Sequence, residues 1–128
     1  MKVGNHIGLA YHHNRTFGME HWLDGNVYAS AASARTYVPG VLYHLVGTVS
    51  KTKGETHLYV NGELAGANSF TPGTKARADY ATKNWEIGAA YSLGEQHLWP
   101  AKGVIRDVRL YRGVLSEAEV KKLNEGKN

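Results

Sequence analysis

A chain of 128 residues with fifteen glycines, eight tyrosines and three tryptophans has the turn-rich, aromatic composition of a β protein, and it is long enough for a two-layer core. The absence of cysteine excludes a disulfide framework and any thiolate metal site. The formal charge of +4 is scattered and no apolar run approaches the ~18–20 residues of a membrane span, so neither nucleic acid nor a membrane is an expected partner.

Met1 to His6 lacks the apolar stretch of a signal peptide, so the sequence as it stands is expected to carry no export signal. His6 to Tyr11 reads as a strand with Ile7, Leu9 and Tyr11 on one face, followed by a polar loop from His12 to Arg15. Thr16 to Leu23 is a second strand. Asp24-Gly25 or Gly25-Asn26 then supplies a hairpin turn into a partner strand at Asn26 to Ser30. Ala29 to Ala34 are small and carry no pattern. Arg35 to Val38 reads as a short edge strand closed off by Pro39-Gly40.

The clearest signal runs from Val41 to Gly66. Tyr43, Leu45, Gly47 and Val49 fall on one face of an extended strand, with His44, Val46, Thr48 and Ser50 on the other. A polar turn ending in Gly54 leads into Glu55 to Val60, where Thr56, Leu58 and Val60 share a face. Asn61-Gly62 provides the two residues of positive φ that a type I′ turn needs before the third strand of a meander.

Asn68 to Lys83 then forms a long polar connection without periodicity. Trp85 to Ala90 reads as a strand, Tyr91 to Lys102 as a second loop, and Gly103 to Tyr111 as the last strand. Tyr59 and Tyr111 are expected to pack. Ser116-Glu-Ala-Glu119 is a capping box that opens a short helix, with Leu115 and Val120 placed for a hydrophobic staple and an end near Asn124 to Gly126.

Two blocks carry a family resemblance. Tyr43-His-Leu-Val-Gly-Thr48 with Leu58-Tyr-Val-Asn-Gly-Glu-Leu64 resembles the core signature of laminin G-like, concanavalin A-like jelly-roll domains. Trp85-Glu-Ile-Gly88, Gly103-Val-Ile-Arg-Asp-Val-Arg-Leu-Tyr111 and Val114-Leu-Ser-Glu-Ala-Glu-Val120 are similar to that family's closing pattern. The likeness is close from Val41 to Leu123 and looser over the first forty residues. It implies an all-β, antiparallel jelly-roll β-sandwich with a short C-terminal helix, spanning residues 1–128 as one domain. It also implies an extracellular or cell-surface setting. Family domains usually begin with two or three further strands ahead of the position of Met1, so an exposed edge is expected here, and with it a homo-oligomer formed through edge strands.

Fold alone does not fix function within such a family. Its glucanases carry Glu-x-Asp-x-Glu on one strand. No such run occurs here, Glu86 has no carboxylate two or four residues on, and Glu119 is committed to the cap. The chain is therefore expected not to be an enzyme. Many relatives hold calcium, but Arg106 stands at the family's Asp position and Asp107 at its Glu position. A guanidinium there repels a hard cation, so no cofactor is expected. The seven histidines show no metal-ligand spacing, and His44 is read as part of the sheet.

Aromatics remain. Sugar rings stack their C–H faces on exposed Trp or Tyr, with polar groups nearby for the hydroxyls. Tyr91 and Trp99, beside Gln96 and His97, fit that description, and Trp22 is a further candidate for which packing is the competing reading. These residues point to a non-catalytic, lectin-like domain whose partner is an oligo- or polysaccharide. The alternative is a structural or protein-interaction module of the same fold.

Overall fold

A computed structural model describes residues 7–76, 86–89, 91–93, 96–98 and 100–126. Strands β1 (Ile7–Tyr11), β2 (Phe17–Leu23), β3 (Val27–Tyr28) and β4 (Ala31–Ala32) form one antiparallel sheet. β1 lies on one side of β2, and β3 and β4 lie on the other. Strands β5 (Leu45–Ser50), β6 (Glu55–Val60) and β7 (Glu63–Ser69) form the second sheet as a meander. The two sheets stack with β1 over β5, β2 over β6 and β4 over β6 and β7. A separate hairpin pairs β8 (Tyr91–Leu93) with β9 (Gln96–Leu98), and α1 (Glu117–Glu125) follows. No described helix is long and apolar enough to cross a membrane.

The period of two decides what enters the core. β2 turns Phe17, Met19, His21 and Leu23 inward, and all four are buried. β6 turns in Thr56, Leu58 and Val60, also buried, and Tyr43, Leu45 and Val49 pack against the same cluster. At Gly47 the thioether of Met19 occupies the space a Cβ would need, so the glycine in the middle of β5 is a notch for a side chain of the opposite sheet. At the hairpin, Asn61 (φ 52°) and Gly62 (φ 83°) adopt the two left-handed conformations expected of a type I′ turn. Asn61 also accepts a hydrogen bond from His44 N at 2.9 Å and donates one to His44 O at 2.8 Å, which ties His44 to the end of the ladder.

At the C-terminus both halves of the capping box form. Ser116 N donates to Glu119 Oε2 at 2.7 Å, and Ser116 Oγ accepts from Glu119 N at 3.3 Å. The two Ser116 donors hold the Glu119 carboxyl below its usual range. Val120 is buried and Leu115 half-buried, as a staple requires.

Several expected elements come out differently. Ala29 to Ala34, which show no pattern in sequence, contain β4, and Ala29 and Ala31 are fully buried there. Small side chains let two backbones meet: Ala34 N donates to Ala65 O at 3.2 Å, and a Cβ on Gly66 would run into the carbonyl of Ala32. Arg35 to Val38 is not a strand. Its Tyr37 ring enters the core, with the Tyr37 amide bonded to Arg15 O at 2.8 Å. β5 begins at Leu45 rather than at Val41, and β7 runs on through Asn68 and Ser69 into what reads as a connection. Of the expected strand from Trp85 to Ala90, the ends lie outside the described residues, and Glu86 to Ala89 form a bend with Gly88 at φ 87°.

The largest departure is Gly103 to Tyr111. The alternation is present, yet these residues belong to no ladder and are exposed, Tyr111 included, which therefore does not pack as expected. Alternation makes a segment able to be a strand, but a strand exists only where an edge receives its amides. Asp107 sits at φ 56°, which breaks the extended run, and Arg109 forks onto its carboxylate at 2.7 and 2.9 Å.

One buried group is out of place. Thr56 is fully buried and its Oγ1 has no hydrogen-bond partner among the described residues. A buried, unmatched hydroxyl costs roughly 1–3 kcal/mol. Thr56→Val keeps the β-branched shape and removes that group. The variant is expected to gain about 1 kcal/mol of stability, seen as a higher urea midpoint at unchanged m-value. A lower midpoint would mean that the hydroxyl is satisfied by water.

Candidate functional site

Of the five residues singled out in sequence, Trp22 is the one whose side chain the structure describes. β2 carries it on the face turned away from the core, because its neighbours His21 and Leu23 point inward. The turn at Asp24–Asn26, with Gly25 at φ 73° and Asn26 at φ 63°, returns the chain so that Tyr28 lies directly opposite Trp22. Their ring centroids are 4.6 Å apart with planes inclined at 37°. Trp22 is half-buried and Tyr28 is 44% exposed, so the pair forms a partly solvent-facing aromatic surface rather than a core contact.

Polar groups border that surface. Glu20 lies two residues before Trp22 on the same face of β2, and His12 Nε2 is 3.6 Å from Glu20 Oε1. The His12 ring stays close to the strand because Gly18 beneath it has no side chain; a Cβ there would come within 2.5 Å of His12 Nε2. Burial pushes the Tyr28 hydroxyl up from its ordinary range, Ser30 pulls it down by hydrogen bonding, and Glu20 pushes it up through its charge and a hydrogen bond. Tyr28, Ser30 and Glu20 thus share one polar network. Asn68 Nδ2 fixes the Ser30 carbonyl at 2.9 Å. The surface therefore offers two aromatic faces, a carboxylate, an imidazole and hydroxyls within one patch.

The other expected site residues are arranged differently from a loop. Tyr91 pairs with Leu98, Ser92 with His97 and Leu93 with Gln96, which makes the stretch a hairpin and not a connection. Trp99 lies outside the described residues. Tyr28, Glu20 and His12 were missed as partners of Trp22. The signal was available for Tyr28, because residues 22 and 28 are equidistant from Gly25 and a tight turn centred there must pair them. Glu20 follows from the period of two. The approach of His12 over Gly18 depends on tertiary structure that spacing does not reveal.

Among the described residues no group of three His, Asp or Glu side chains is placed to hold a metal ion. The cavity between the sheets lined by Ile7, His21, Val49, Lys51 and Ala76 opens at the β1–β5 side of the sandwich and away from Trp22.

A two-sheet antiparallel sandwich is the architecture of the concanavalin A-like lectins and glucanases. The chain belongs to that superfamily: the sequence model of its laminin G-like family matches residues 1–121, including the first forty residues where the motifs are loosest. Its fold is similar to that of an S-layer domain-containing protein from Clostridium thermocellum, solved by crystallography, with a TM-score of 0.52 and 23% sequence identity. The alignment covers 85% of this chain and 51% of that one, so this chain spans about half the length of the solved relative. No curated protein matches the chain.

Proposed function

We propose that this protein is a non-catalytic carbohydrate-binding domain, and that a saccharide stacks on the outward face of Trp22 and Tyr28. The observation that carries this reading is the aromatic pair itself, held partly open to solvent on a sheet face with Glu20 and His12 beside it. A pyranose presents C–H groups to an aromatic face and hydroxyls at its rim, where a carboxylate accepts and hydroxyls donate or accept. The reading involves no hydrolysis, since Glu20 is not part of a Glu-x-Asp-x-Glu strand. It also involves no calcium, since the Asp107 carboxylate is taken up by Arg109 and Arg106 is its neighbour. The hairpin of Tyr91, Gln96 and His97, with Trp99 after it, remains in this proposal as a second contact region.

The test is a glycan array followed by titration of the best ligand in the presence of EDTA. Trp22→Ala is expected to weaken binding at least tenfold. Stability should fall by only about 1 kcal/mol, because the pair it breaks is worth ~0.5–1.5 kcal/mol and lies outside the core. Unchanged affinity in Trp22→Ala would remove the site from this face. Binding to no glycan at all would favour the protein-interaction module, for which the exposed apolar residues of Gly103 to Tyr111 are the argument.

A further inference from the structure

We propose that the open edge of β1 is completed by the Gly103–Tyr111 segment of a second copy of this chain, each copy lending its segment to the other. The acceptor is defined by an anomaly in the core. Ile7, Leu9 and Tyr11 lie opposite His21, Met19 and Phe17 in the β1–β2 ladder, so they share the inward face of the sheet. Yet Leu9 is 47% and Tyr11 49% exposed. Inward-facing apolar residues are open to water here because no described strand pairs with the outer side of β1, and β5 beneath it is likewise an edge. The cavity lined by Ile7, Val49 and Ala76 opens along this same seam.

The donor is equally defined. Gly103 to Tyr111 alternates as a strand does, with Val104, Val108 and Leu110 on one face together with Arg106, and Val104 is 82% and Leu110 76% exposed. Asp107 and Arg109 pair with each other two residues apart, which an outward face tolerates. Asp107, at φ 56°, is the one non-glycine residue of the segment in the left-handed region, and docking on an edge needs it to turn.

Reach favours a second copy over the same chain. Helix α1 is seated on β7, with Asn124 against Gly62 and Val120 buried. β7 is the strand of its sheet farthest from β5, so the position beyond β1 lies about three strand spacings of ~4.8 Å sideways and ~10 Å across the stack, roughly 17 Å in all. From Tyr111 to Ser116 the chain spans that distance only if fully straight, at ~3.3–3.6 Å per residue. It is bent, with Gly113 at φ 104°. A reciprocal exchange closes as a two-fold dimer and covers the β1 edge of both copies.

Because the chain has no cysteine, the pairing can be trapped cleanly. Light scattering of the full chain should give twice the monomer mass at high concentration, with amides of residues 103–111 protected from exchange only in the dimer. Val108→Pro, which removes a ladder donor, should return the mass to that of a monomer. Leu9→Cys chains mixed with Val108→Cys chains should oxidise to a mixed disulfide dimer. Three results would overturn the proposal: a monomer at every concentration, a dimer whose 103–111 amides exchange freely, or a doubly substituted chain that links only to itself, which would mean the segment closes its own sheet.

Discussion

Gly66→Ala is expected to destabilise the protein by about 3 kcal/mol, although alanine is ordinarily the better residue in a strand. In an open strand the exchange gains ~0.5–1 kcal/mol by restricting the unfolded chain. Here the added methyl meets the carbonyl of Ala32, with the Ala32 amide nitrogen 3.3 Å away, so the obstacle is backbone and cannot rotate aside. β4 and β7 must separate, and the hydrogen bond from Ala34, just after β4, to Ala65 of β7 is strained with them. The melting temperature should fall on the order of 10 °C. Gly47→Ala is the control: its obstacle is the end of the flexible Met19 side chain, so the loss should be smaller. Equal or higher stability in Gly66→Ala would show that β4 yields.

The second large effect is at Phe17. Its ring lies 4.8 Å from Tyr37, 5.1 Å from Tyr11 and 5.4 Å from Tyr43, which joins β1, β2 and two points of the 33–44 connection between β4 and β5. Ser33 adds a backbone tie, its Oγ accepting from Phe17 N at 3.1 Å and its own amide donating to Phe17 O at 2.8 Å. Phe17→Ala is expected to cost ~3–5 kcal/mol, a large part of the ~5–15 kcal/mol that holds a typical domain together. Phe17→Leu retains most of the volume and should lose about 1.5 kcal/mol. Chemical denaturation of both variants checks this. Similar values for the two would mean that the tyrosine rings close over the gap.

These two positions also mark the reach of sequence reading. The meander from Leu45 to Val60 was legible because a single local rule, alternation plus Asn61-Gly62, sets both its faces and its register. The helix was legible because the Ser116 and Glu119 side chains act within four residues. Phe17 was assigned to a strand, but its role as the meeting point of three tyrosines depends on contacts two of which span 20 and 26 residues of chain. The importance of Gly66, and of the alanines at 29 to 34, lies in what is absent from their side chains, and absence has no periodicity. Gly103 to Tyr111 misled for the converse reason: a strand is a relation between two segments, and the sequence displays only one of them. Trp22 was found by residue type. Its partner Tyr28 required the register of a turn, and His12 required the fold.

The order of the second sheet bears on how the chain acquires its shape. β5, β6 and β7 are neighbours in sequence, joined by Lys51–Gly54 and by Asn61-Gly62, so their contacts close only short loops. The first sheet makes contact with them across separations of about forty residues, as at Phe17 and Leu58 in one cluster or Ala32 and Gly66 in one contact. Loop-closure entropy rises with separation and must be met before distant contacts contribute. The meander is thus the least costly piece to assemble, and it presents Leu58 and Val60 as a ready template. On that argument residues 7–40 are expected to condense on the template afterwards, with the Met19 thioether finding its notch at Gly47 only at that late stage.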